Sequence, residues 1–191
     1  MLTVLLRGAL VTLLCAAGSA GASQDRSEEA GSKWDTKCTE KGCLMFTDVL
    51  RGDPQHPANP QHPEYLTIAV GVDRATKRPS YFGFYVPPTA DPKQGLSIKF
   101  PRVLAGAEGQ EADKDLPLHL EFESCDHESC MATVSGGTPE DDKLVNDLFY
   151  RFSTRADVLF LYVANGETLR TTKALSRFQR DYKQLVETQL R

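Results

Sequence analysis

No stretch of this chain stays apolar for the roughly 20 residues that a bilayer-spanning helix needs, so no transmembrane segment is expected in the processed protein. The short signatures of several catalytic classes are also missing. There is no Gly-x-Ser-x-Gly elbow, no His-Glu-x-x-His pair and no glycine loop built to cradle phosphate. Positive charge is not in excess either: the formal net charge is -4 at pH 7, the wrong sign for gripping a phosphate backbone, and nucleic acid is not an expected partner. Neither an internal repeat nor a sustained heptad is present, which excludes solenoid and coiled-coil architectures.

The apolar sequence near the start has a different use. Arg7 precedes a mostly apolar run from Ala9 to Ala17, followed by Gly18-Ser19-Ala20-Gly21-Ala22, the layout of a secretory signal peptide over residues 1–22. Small side chains at Ala20 and Ala22 place the expected cut after Ala22. Leu14 stands where lipid attachment at Cys15 would require a small residue, so Cys15 is expected to leave with the leader. The five cysteines then fall to an even four, Cys38, Cys43, Cys125 and Cys130. Even parity and export together predict two disulfides and a periplasmic, secreted or cell-surface location. Ser23 to Lys33 is too polar to offset its own ordering entropy and is read as a disordered leader. Residues 34–191, beginning at the single tryptophan, Trp34, are enough for one domain with a core.

Within that stretch most apolar residues recur at every second position. Strands are predicted over Leu44 to Leu50, Tyr65 to Val72, Tyr81 to Val86, Leu96 to Phe100, Leu118 to Glu123 and Met131 to Ser135. Pro- and Gly-rich connections separate them, at Pro54 to Pro63, Pro87-Pro88 and Ala105 to Asp115, and these are read as unable to carry a ladder. After Gly136-Gly137 the period lengthens, and Leu144, Val145, Leu148, Phe149 and Phe152 mark a helix. Thr138 is placed to cap it, with Pro139 at its first position and Glu140, Asp141 and Asp142 in its first turn. Asp157 to Ala164 returns to strand, Asn165-Gly166 supplies a hairpin turn, and Glu167 to Thr171 is its second arm. A terminal helix is predicted from Thr172, with Leu175, Phe178, Tyr182, Leu185 and Gln189 on its packed side and Arg177, Arg180, Asp181 and Gln184 outside. The expected fold is mainly β: a single antiparallel sandwich or barrel-like domain with a short internal helix and a C-terminal helix.

The order of several landmarks adds to this reading. Trp34 is followed by Cys38 and Cys43. Val86-Pro87-Pro88 leads to Gly95-Leu96-Ser97-Ile98, Phe122-Glu123-Ser124-Cys125 leads to Cys130-Met131-Ala132, and Leu175-Ser176-Arg177-Phe178 comes near the end. Over roughly Trp34 to Leu185 the chain resembles the invasion-associated locus B proteins of bacteria. The resemblance implies export, a mainly β fold and, in some members, a link to entry into host cells. It supplies no catalytic residues. The insertion Arg51 to Glu64 and Arg177, where the family more often has glycine, depart from the pattern.

Four cysteines permit three pairings. Local pairing, Cys38 with Cys43 and Cys125 with Cys130, is favoured because each pair borders a strand and closes a small ring. By chain entropy each local bridge contributes about 2 kcal/mol, against about 4 to 5 kcal/mol for a crossed one, but native geometry decides whether a bond can form. Four residues between cysteines do not suit a dithiol catalyst. A competing reading makes Cys125-Asp126-His127-Glu128-Ser129-Cys130 a copper or zinc site, or part of an enzyme with His119 or His127. Glu121 and Glu123 alternate with Leu120 and Phe122 and are read as surface acids. His56 and His62 lie in a near repeat read as a solvated loop, and Arg51-Gly52-Asp53 matches an integrin-type tripeptide that arises easily by chance. The expected role is therefore non-enzymatic, with no cofactor or metal assigned, acting through a protein partner in the envelope or on a host cell.

Overall fold

Period-two alternation gives two antiparallel sheets. A computed structural model describes residues 33–50, 52–53, 56–57, 65–101 and 117–191. The expected signal peptide and almost all of Ser23 to Lys33 lie outside them, as does the connection Ala105 to Asp115. The larger sheet has the spatial order β1 (Asp35–Cys38), β2 (Gly42–Leu50), β5 (Tyr65–Asp73), β6 (Pro79–Val86), β10 (Cys130–Ser135) and β9 (Ser124–Cys125). The smaller has the order β12 (Glu167–Ala174), β11 (Asp157–Ala164), β7 (Leu96–Lys99) and β8 (Leu118–Leu120). A separate short pair joins β3 (Gly52–Asp53) to β4 (His56–Pro57). Helices α1 (Pro139–Thr154) and α2 (Phe178–Thr188) complete the described elements. The architecture is mainly β and sandwich-like with a C-terminal helix, and among the described residues neither sheet closes into a barrel.

One face of the larger sheet supplies Met45, Ile68, Val70, Phe82, Phe84 and Ala132 to the core. Half of that face meets the smaller sheet, where Phe84 lies 5.8 Å from Phe160 between ring centres. The other half is covered by α1, where Phe82 lies 5.4 Å from Phe152. Burying each such side chain contributes about 1.5 to 3 kcal/mol. Trp34 wedges its indole edge-on against Phe178 at 5.0 Å and Phe152 at 6.3 Å, so α2 is fastened to both β1 and α1. At its other flank, Tyr182 Oη donates a 2.7 Å hydrogen bond to the Lys77 carbonyl in the β5–β6 turn.

Local chemistry accounts for the boundaries. Thr138 Oγ1 accepts the Asp141 N–H at 3.2 Å and donates to the Asp141 carboxylate at 2.8 Å, fixing the start of α1. Asn165 and Gly166 take φ of 53° and 80°, the paired positive angles of a two-residue hairpin turn. Gly83 leaves room on the outer face for Tyr81, which lies across it and meets Tyr85 hydroxyl to hydroxyl at 2.8 Å.

Several elements differ from the sequence reading. The terminal helix begins at Phe178 rather than Thr172, because β12 continues to Ala174 opposite Asp157 and buries Leu169, Thr171 and Lys173 at alternate positions. β8 stops at Leu120, short of Glu123. β1 and β9 were not anticipated, since four and two residues are too few to show a period. The two-residue β4 carries a ladder within Pro54 to Pro63, which proline content argued against.

Candidate functional site

The cysteines sit at the two margins of the larger sheet. Cys38 closes β1 and directly opposes Cys43 in β2, and Cys125 closes β9 and directly opposes Cys130 in β10. Their sulfur atoms stand at bonding distance, 2.03 Å and 2.08 Å apart. Each Cys-x4-Cys segment is thus a hairpin loop tied across its first rung. Because β1 and β9 are outermost in the sheet, each bond fastens a short edge strand to the body.

Hydrogen bonds shape both loops. The Thr39 N–H donates to the Gly42 carbonyl at 2.7 Å, and Arg74 Nη2 donates to the Thr39 carbonyl at 3.0 Å. In the second loop the Asp126 carboxylate accepts the Ser129 N–H at 2.9 Å and the Glu128 N–H at 2.8 Å. Those amides hold its carboxyl below the ordinary carboxylate range.

The groups needed for a metal or catalytic centre in this loop are dispersed. His127 is 90% exposed, with its Nε2 3.8 Å from the Glu128 carboxylate. His119 belongs to the other sheet, where its Nδ1 lies 3.2 Å from Ser97 Oγ. Glu121 and Glu123 are both exposed, and Glu123 accepts a hydrogen bond from the Thr133 hydroxyl. Among the described residues no three His, Cys, Asp or Glu side chains converge in a metal-binding arrangement. Arg51 and His62 lie outside the described residues, and of Gly52, Asp53 and His56 only the backbone, in β3 and β4, is described.

A cavity of about 270 Å³ opens between β1 and α2, lined chiefly by Trp34, Thr36, Arg177, Asp181, Leu185 and Gln189. The Asp181 carboxylate belongs to its lining. It accepts the Trp34 backbone N–H at 3.3 Å and approaches Arg180 at 3.5 Å and Arg177 at 3.9 Å. Gln189 reaches the same edge, with its amide nitrogen 3.5 Å from Thr36 Oγ1. Comparison with protein-family models, with curated proteins and with solved structures gives no match.

Arg177 and Asp181 correct the sequence reading, which set both on the solvent side of the terminal helix; their side chains are 27% and 11% exposed. The helix lies under β1 and turns the Asp181 carboxylate toward the Trp34 amide. The cavity offers hydrogen-bond donors and acceptors beside a sheet edge. That edge depends on a strand too short for its alternation to be seen in sequence. Among the described residues, no helix is long and apolar enough to cross a membrane.

Proposed function

We propose that this chain is an exported bacterial envelope protein of the kind the invasion-associated locus B proteins represent, acting without catalysis through protein contacts. The observation that carries the reading is the placement of the cysteines, one pair fastening each margin of the larger sheet. Such bonds persist where thiols are kept oxidised, and they hold short edge strands in place outside the cell's reducing interior. The signal-peptide layout over residues 1–22 supports the same address. The resemblance alone supports a link to host cells.

Fractionation of cells carrying a C-terminally tagged chain tests this. The processed protein is expected in the periplasm, on the surface or in the medium, and in-cell crosslinking is expected to trap it with envelope or host proteins. Deleting residues 1–22 should leave it in the cytosol. Unprocessed chain found in the cytosol of otherwise normal cells would overturn the reading.

A further inference from the structure

We infer that β1 is a self-association edge, through which two copies of this chain pair as antiparallel strands about a two-fold axis at Thr36. The inference rests on the geometry of the edge and not on the proposed cellular address.

β1 is the outermost strand of the larger sheet, and among the described residues no strand lies on its far side. Its hydrogen-bonding phase is fixed from three directions. Cys38 opposes Cys43 at a Cα separation of 4.0 Å, the narrow kind of antiparallel pair whose backbone groups point away from each other. The next residue out, Thr39, donates its N–H to Gly42, as the following wide pair requires. Four residues before Cys38, the Trp34 N–H also turns away from β2, toward Asp181. Strict alternation then makes Asp35 and Lys37 bond inward to Phe46 and Leu44, and leaves the N–H and C=O of Thr36 and Cys38 directed outward.

Charge decides what fits there. Asp35 and Lys37 share the outer face of β1, both exposed; Asp35 is 65% exposed, with Lys33 3.7 Å away. An axis at Thr36 sets Asp35 of each copy opposite Lys37 of the other, in narrow pairs where side chains lie closest. Shifting the axis to Lys37 opposes two lysines, and shifting it to Asp35 opposes two aspartates. Edge charges usually keep strands apart. Here two opposite charges spaced two residues apart are self-complementary under rotation.

Two further features favour a second copy. The bond between Cys38 and Cys43 anchors one end of β1, so little order must be gained on pairing. Beneath the edge lies the cavity of about 270 Å³, whose polar lining, Thr36 and Gln189 included, faces the position of an added strand. Two four-residue strands make an interface well below the standard size, so the expected dissociation constant is on the order of 10 to 500 μM.

Sedimentation equilibrium on the purified protein with both disulfides formed, at low salt, tests this. Wild type is expected to dimerise, Asp35→Lys and Lys37→Asp each to weaken the dimer by about tenfold or more, and the double swap to restore it to within about threefold. Thr36→Pro, which removes an outward N–H without touching the bonds to β2, should abolish it. A wild type that stays monomeric to about 1 mM, a dimer indifferent to the single reversals, or a double swap as weak as the singles would overturn the proposal.

Discussion

Trp34 packs the start of the fold onto both helices. It is 3% exposed, joins β1 to α1 and α2 through two edge-on aromatic contacts, and its indole nitrogen has no hydrogen-bond partner among the described residues. Trp34→Ala should therefore cost about 3 to 5 kcal/mol in denaturant unfolding, and Trp34→Phe, which keeps the ring and loses no bond, under about 2 kcal/mol. Equal losses for the two would show that volume is not what matters there. Titrating groups give a second expectation. Amides of Thr76 and Ser129, each the largest cause, hold Asp73 and Asp126 below 3.8. Their contribution is present above that value and is lost as pH falls through the lower folded values. Carboxyl NMR titrations should place both midpoints below 3.8, and a midpoint at or above it would contradict the turn geometry. At the alkaline end, burial lowers Lys173 from 10.5 against the pull of Asp48, while burial raises Tyr81 and Tyr182 above 10.0. The lysine's penalty is relieved as pH rises through its folded value, and the tyrosines' contribution, fully present below 10.0, is lost above it. Stability from these groups should thus rise with pH and then turn over near 10.

Among the elements, those long enough to repeat a period were readable from sequence. β11 has the predicted bounds, and α1 begins where Thr138, Pro139 and three acidic residues place it. The terminal helix was misplaced because Leu175, Phe178 and Tyr182 also fit helical spacing back to Thr172. The competing period of Leu169, Thr171 and Lys173 prevails because pairing with β11 continues to Ala174. Part of the candidate site was legible, since the cysteine pairs and their strand neighbours are visible in sequence. The cavity was not: it needs β1, four residues long, to meet a helix that begins 140 residues after that strand ends. The margins of the larger sheet make a separate prediction. Replacing Cys125 and Cys130 together by serine should cost about 2 kcal/mol. Faster amide exchange should be confined to β9 and its loop, while the core strands stay protected. Exchange spreading evenly through β5 and β6 would contradict a local fastening.

At the scale of the whole molecule, the two larger sheets and the two helices of the described residues enclose an aromatic core, and a covalent link closes each lateral margin of the larger sheet. Among the described residues, His119 and His127 lie on different elements, and the cavity between β1 and α2 is small and lined largely by polar side chains. The most direct test is a non-reducing peptide map, with N-terminal sequencing, of native protein recovered from its own cells. The account predicts a chain beginning near Ser23, with Cys38 joined to Cys43, Cys125 joined to Cys130, and no free thiol. A chain that keeps Met1 with reduced thiols, or one with Cys38 joined to Cys125 or Cys130, would contradict it.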